Sequence, residues 1–381
     1  MRPTSFWVIV SICAVFLLSA GTVNERMREP DAAVLAALAN YQFDLEGEGR
    51  NFLLAEAKNN DFFLLGELHG DNEIPALLGK LWPEMWKQGY RHIAAEVSPW
   101  AAYELELVPA GKAHEIQSLW TKQEATQVHA LADPNTNVLW GCDIEEVQPE
   151  FLIRELAALN PDDQSFKRMV SMTNDGYRRE MAPVLLDLAL GSKANRDESL
   201  NDVSLRESLL STLEIEENRL SPETKMVAQN KRELLMKQQF LTHLRRASAS
   251  GTPQKVLLRF GRNHLHRGYD VRGISTLGNF VVELAIVQGR KAFNVGAFGA
   301  GGKATLLGET FDADESRNEP AFALLGEKAK YSATLFDLRP IRPLLHRISQ
   351  QKRSALESNL IYWADSYDAL ICYKSVTPLK P

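Results

Sequence analysis

Phe62-Phe63-Leu64-Leu65-Gly66-Glu67-Leu68-His69-Gly70 is the stretch that decides how this chain is read. Four bulky apolar residues give way to an acid and an imidazole held between two glycines. Such a run reads as a strand buried on both faces, followed by a sharp turn. The same grammar recurs. Ile93-Ala94-Ala95 ends in Glu96, Val138-Leu139-Trp140-Gly141-Cys142 ends in Asp143, and Val256-Leu257-Leu258-Arg259-Phe260-Gly261 opens into Arg262-Asn263-His264-Leu265-His266. If these runs are parallel strands of one sheet, their polar tails converge, because ligands of open α/β sheets bind beyond the carboxyl ends of the strands.

Outward from that stretch, residues 60 to 145 alternate strand and helix. A strand at 62 to 66 is followed by Ile74, Leu77, Leu78, Leu81 and Met85 at helical spacing, then Gly89 and a strand at 92 to 97. This is a βαβ unit with a parallel pair. Between about 149 and 248 only helical patterns occur. The best of them is expected to open at Ser221-Pro222 and to carry a face of Val227, Leu234 and Leu241 with Leu235 and Leu244. Strands resume at 255 to 260, 291 to 297 and 369 to 374, with a helix near 274 to 288, and residues 299 to 330 read as a long loop. The expected architecture is α/β: a mostly parallel sheet flanked by helices, with a helical insertion. It divides as 1–21, a signal peptide; 22–148, the first part of the α/β core; 149–248, the insertion; and 249–381, the second part of the core.

The chain is 45% hydrophobic and 24% charged, the balance of a packed globular protein, and its net charge of -6 without a Lys/Arg block argues against nucleic acid as a partner. Arg2 precedes the apolar run Phe6 to Leu18 and the small residues Ser19, Ala20 and Gly21. That order is a charged n-region, an h-region and a cleavage site, and the run is shorter than the roughly 20 residues of a membrane span. Export to the periplasm or outside the cell is expected, with no stable membrane span after cleavage. Cleavage leaves Cys142 and Cys372, both in strand-like apolar runs and both read as buried, unbonded small hydrophobes.

At a strand end, Glu67 and His69 can serve as general acid/base groups or as oxygen and nitrogen ligands of a metal. Glu96 lies within an apolar run, where a carboxylate must find a cation or reach the crevice. In an extended segment, His264 and His266 fall on one side, a spacing used by metal sites, so His69, His264 and His266 form a metal set if the protein is metal-dependent. Arg262 is a candidate to hold an anionic substrate group. Asp143 is a second, weaker substrate-binding candidate whose structural alternative is a helix N-cap. Gly296 to Ala304 resembles a phosphate loop but places Ala304 where Ser or Thr is needed. No Gly-x-Ser-x-Gly elbow occurs.

Gly66-Glu67-Leu68-His69-Gly70, Glu96, His264 and His266, Phe336-Asp337-Leu338-Arg339 and Tyr367-Asp368-Ala369-Leu370-Ile371 together resemble the erythromycin esterase-like group. That group belongs to a broader superfamily with ChaN-type haem-binding lipoproteins and the TIKI/TraB metalloproteases. The resemblance implies hydrolysis of an ester or amide bond in a small-molecule substrate by water that His69 activates. Glu67 and Glu96 would orient the base and the water, and His264 and His266 would complete the pocket. One residue separates Glu67 from His69 where the esterases usually have two, and Leu78 stands where they carry an arginine. The Gly-x-x-His spacing is similar to the other two branches, which imply a haem-binding protein of the cell envelope or a divalent-metal peptidase.

Overall fold

The computed structural model describes residues 30–113, 119–133, 136–192, 200–251 and 254–379. The signal-like segment lies outside them. The described residues hold ten strands: β1 (Gln42–Asp44), β2 (Phe62–Glu67), β3 (Tyr90–Ala95), β4 (Leu139–Gly141), β5 (Lys255–Gly261), β6 (Ala292–Gly299), β7 (Lys303–Leu306), β8 (Glu309–Asp312), β9 (Ala333–Asp337) and β10 (Ala369–Tyr373). Eight of them form one sheet in the order β1-β9-β10-β6-β2-β5-β3-β4, and β7 with β8 forms a separate hairpin. The run from β10 to β4 is parallel throughout, while β9 lies antiparallel to both β10 and β1. This is the mostly parallel, helix-flanked α/β architecture expected.

The strand residues explain the layers. Every residue of β2 is buried, and the two-residue period of a strand sends alternate side chains to opposite faces. Phe63 and Leu65 join a core with Leu53, Leu77 and Leu257, under helices Glu48–Asn59 and Glu73–Lys87. Phe62 and Leu64 join a second core with Phe240, Val281 and Leu258, under helices Lys225–Ala247 and Leu277–Val287. Burying each such side chain stabilises the fold by about 1.5–3 kcal/mol. Cys142 and Cys372 are buried and free.

Three local expectations change. β2 and β3 are parallel but not neighbours, because β5 lies between them. The span 299 to 330 is not a loop: it holds the β7–β8 hairpin and helix Pro320–Lys328. The long helix begins at Lys225 rather than at Ser221-Pro222, which occupy the turn before it. Of its expected apolar face, Leu244 is buried, Leu235 and Leu241 are half-buried, and Val227 and Leu234 are turned outward, 45% and 54% exposed; the face the helix buries is Ala228, Glu233, Met236, Phe240 and Leu244. Two polar residues of this helix, Arg232 and Glu233, thereby reach the sheet's carboxyl edge.

Candidate active site

β5 lets the ends of β2 and β3 meet across it. In register, Glu67 stands opposite Gly261, and Ala95 opposite Arg259. Gly261 has no side chain; a Cβ there would lie 2.6 Å from His69 Nε2 and 3.1 Å from Glu96 Oε2. The residue that closes β5 must therefore be glycine for the tails of β2 and β3 to touch. Past His69 the backbone turns at Gly70, with φ +87°. The Gly70 carbonyl accepts hydrogen bonds from Thr305 N at 2.7 Å and Leu379 N at 2.8 Å, which pin the turn to the hairpin and the chain's carboxyl end.

The result is a chain of alternating carboxylates and imidazoles. Glu67 Oε1 is 3.0 Å from His69 Nδ1, and His69 Nε2 faces Glu96 Oε2 at 3.4 Å. The other Glu96 oxygen is 3.3 Å from His264 Nε2, and His264 Nδ1 is hydrogen-bonded to Glu233. Glu96 Oε2 also accepts from the Gly261 N–H at 2.6 Å. Arginines close both flanks. Arg259 donates to Glu67 and Glu124 and lies 4.5 Å from the centre of the Trp120 ring. Arg232 bridges Glu96 at 3.0 Å to Asp143, with further attraction from Glu146. His69 has a side chain 23% exposed, whereas Glu67, Glu96, His264 and Glu233 are buried, so the chain opens to solvent at His69.

Burial alone would push the His69 pKa down, but Glu96 and Glu67 outweigh it and raise it to about 10. His264, facing Glu96 and Glu233, is raised to about 9 by the same contest. Burial works to raise both carboxylates; His264 and His69 nonetheless hold Glu96 well below its usual range, and Arg259 with His69 lowers Glu67. At neutral pH the cluster thus contains two imidazolium ions among ionised carboxylates.

His266 and Arg262 stand apart from this chain. His266 is fully buried among Tyr362, Trp363 and Tyr367, with Tyr362 Oη 2.9 Å and Ser366 Oγ 3.2 Å from Nδ1. Burial and the charges of Arg262 and Arg272 lower its pKa to about 3. The short 3-10 turn Arg262–His264 ends the extended segment, so the two histidines of His-x-His part company. The three imidazoles do not form one set, and among the described residues no group of three His, Cys, Asp or Glu side chains is arranged to hold a metal ion. Arg262 donates to the Ala297 carbonyl and to Glu315, and its guanidinium lies 4.8 Å from the Phe322 ring and 5.2 Å from the Trp363 ring. It ties β6 to the segment after the hairpin. Asp143 is the partner of Arg232 and caps no helix.

Glu233, Arg232, Arg259 and Glu124 were not singled out from the sequence. The signal for Arg259 was present: an arginine inside the run Val256 to Phe260 needs a buried carboxylate, and it has two.

No family model matches the chain, and no curated protein does. Among solved structures, a Bacillus cereus protein superposes with a TM-score of 0.55 at 13% identity, covering 91% of this chain and 98% of that one. A succinoglycan biosynthesis protein gives 0.56 at 15% identity over 91% and 97%. An erythromycin esterase variant in its open conformation gives 0.54 at 13% identity over 90% of this chain and 96% of the esterase. The agreement runs over nearly the whole length of each partner, and on it the chain has the erythromycin esterase-like fold.

Proposed function

We propose that the chain is an exported hydrolase that cleaves an ester or amide bond of a small molecule, with His69 as the proton-transfer group. The observation that carries this reading is the unbroken chain Glu67–His69–Glu96–His264–Glu233, open to solvent at His69 alone. Alternating acids and imidazoles are a device for moving protons, and position plus pKa make His69 the member that meets substrate.

As the cluster stands, His69 is an acid. The long 3.4 Å contact to Glu96 is the link a water enters. Water bound there takes over the Glu96 oxygen, and the His69 pKa falls toward neutrality once that carboxylate no longer holds its proton directly. Neutral His69 then accepts a proton from the water as its oxygen attacks the carbonyl carbon, and returns it to the leaving alkoxide or amine. Glu67, fixed by Arg259, holds the Nδ1 proton through the cycle. His264 keeps its charge and steadies Glu96. General acid/base action of this kind supplies about 10²- to 10⁴-fold, and positioning supplies the rest. Support for export comes from the n-region, h-region and small residues of positions 2 to 21.

The test is an ester and amide screen with wild type and His69→Ala, with folding checked by circular dichroism. Loss of turnover in a folded variant supports the role, and undiminished turnover overturns it. The pH profile should climb on its neutral side, as His69 freed from direct contact with Glu96 loses its proton, and fall near 9 as His264 loses its charge. Metal analysis and an absorption spectrum of the purified protein cover the competing readings, since a stoichiometric divalent ion or a Soret band would count against a metal-free hydrolase.

A further inference from the structure

The edge of the sheet opposite the site has a different chemistry. In a parallel sheet the flanking helices deliver their carboxyl ends to the amino ends of the strands. Here helix Lys225–Ala247 ends before β5, helix Leu277–Val287 before β6, and helix Glu48–Asn59 before β2. Between the first two lies a groove of about 490 Å³, floored by Leu241, Leu244, Phe280 and Leu284 and rimmed by Arg245, Gln288 and Arg290. On the same helix end, Ile286 is 71% and Val287 84% exposed.

The charge there runs against that of the whole chain, which is -6. Lys58, Arg245, Arg246 and Lys291 are exposed and join no ion pair among the described residues. Arg290 has one carboxylate, Asp61, at 3.5 Å, and its Nε is buried without a hydrogen-bond partner. Lys255 gives its ammonium to the carbonyls of Ala57 and Lys58, and it shares with Arg290 the one carboxylate that faces it, Asp61. The exposed acid of the second helix, Glu283, sits a turn further back and is hydrogen-bonded to Asn279. Helix carboxyl ends attract basic residues on their own account. They do not attract two adjacent, outward-facing β-branched side chains beside an apolar groove.

We propose that this edge docks on an anionic membrane surface. Ile286 and Val287 enter the headgroup layer, and the arginines and lysines around them meet lipid phosphates. The two features together form the pairing that peripheral membrane binding uses, apolar insertion plus a basic collar. Charge complementarity selects this occupant over a second copy of the chain, whose matching edge would be equally basic. In this orientation the opening at His69, on the opposite edge of the sheet, faces the aqueous side. The inference does not depend on which reaction His69 performs.

The experiment is co-sedimentation of the full-length chain with vesicles of mixed phosphatidylglycerol and phosphatidylcholine, against phosphatidylcholine alone. Wild type is compared with the pair Arg245→Glu and Arg246→Glu and with the pair Ile286→Asp and Val287→Asp. All four positions are exposed, and circular dichroism checks that the variants fold. Since every sample carries the same amino-terminal apolar run, a difference between samples reads the patch. Each basic residue near an anionic surface contributes on the order of fivefold, so reversing two should weaken binding by about 25-fold or more, and added salt should weaken that of wild type. Equal binding to both kinds of vesicle, or variants that sediment like wild type, overturns the proposal.

Discussion

Adding one methyl group at Gly261 should separate the histidine from its acid without unfolding the protein. A Cβ built there meets His69 Nε2 at 2.6 Å and His69 Cε1 at 3.2 Å. To restore an ordinary 3.4 Å contact the imidazole must retreat by about 0.8 Å. The backbone of β5 is fixed by ladders on both sides, so the ring is what moves, and it has room because its side chain is 23% exposed. Its contact with Glu96 starts at 3.4 Å and does not survive such a retreat as a direct ion pair. Three readings follow from Gly261→Ala. Nuclear magnetic resonance titration of the His69 ring should show a pKa well below the wild-type value of about 10. Turnover of any ester found in the screen should fall by about 100-fold, the typical consequence of a reacting group misplaced by roughly an ångström. Stability should fall by no more than about 1–2 kcal/mol, since the clash is relieved by a partly exposed side chain. A variant whose His69 titrates as in wild type and whose turnover is intact would refute the geometry, because His69 and Glu96 fill the space that methyl would take.

Glu96→Gln should lower the pKa of both His69 and His264 toward the ordinary range and destabilise the protein by about 3–5 kcal/mol in urea, since it leaves Arg232 and two imidazoles short of a buried counter-charge. His266→Phe should behave oppositely, leaving turnover within a few-fold of wild type while weakening the fold by about 1–3 kcal/mol, because the Tyr362 hydroxyl loses its partner while that of Ser366 keeps only the Tyr362 carbonyl. Stability against pH should carry an alkaline limb. The His69 and His264 pKa values are raised in the fold, so their contribution is full below about 6.5 and is lost as pH rises through 9 to 10; His264→Gln should flatten that limb in urea titrations. On the acid side, lowered Glu67 and Glu96 contribute fully above about 4.5 and lose their effect as pH falls.

What could be read in advance divides along physical lines. The runs at 62, 93, 138, 256, 292 and 369 were legible because strands buried on both faces are written as continuous apolar sequence. β1 was missed for the converse reason, being a half-buried antiparallel strand of three residues at the sheet's edge, whereas β9, buried throughout, was missed because Thr334 and Asp337 leave its apolar run short. Glu67, His69, Glu96 and His264 announced themselves by following such runs. Glu233 could not, because a helix shows its buried face by apolar period, and the carboxylate interrupts that face between Ala228 and Met236. Following the leucines instead led to Val227 and Leu234, which face solvent. His266 misled for another reason: two-residue spacing aligns side chains in an extended segment, and the turn at Arg262 ends the extension.

The insertion of β5 between β2 and β3 also bears on when this molecule comes into being. The Gly261–Glu96 hydrogen bond spans 165 residues, and the partners of β2 on both sides, β5 and β6, are made after all the helices of 149 to 247. A growing chain therefore carries β2 and β3 with no strand to lie between them. Both keep bare edges until the second half arrives, and pairing at such long range is slow to nucleate. A polypeptide cut short before Lys255 lacks both the strand that lies between Glu67 and Glu96 and the histidine, His264, that follows it.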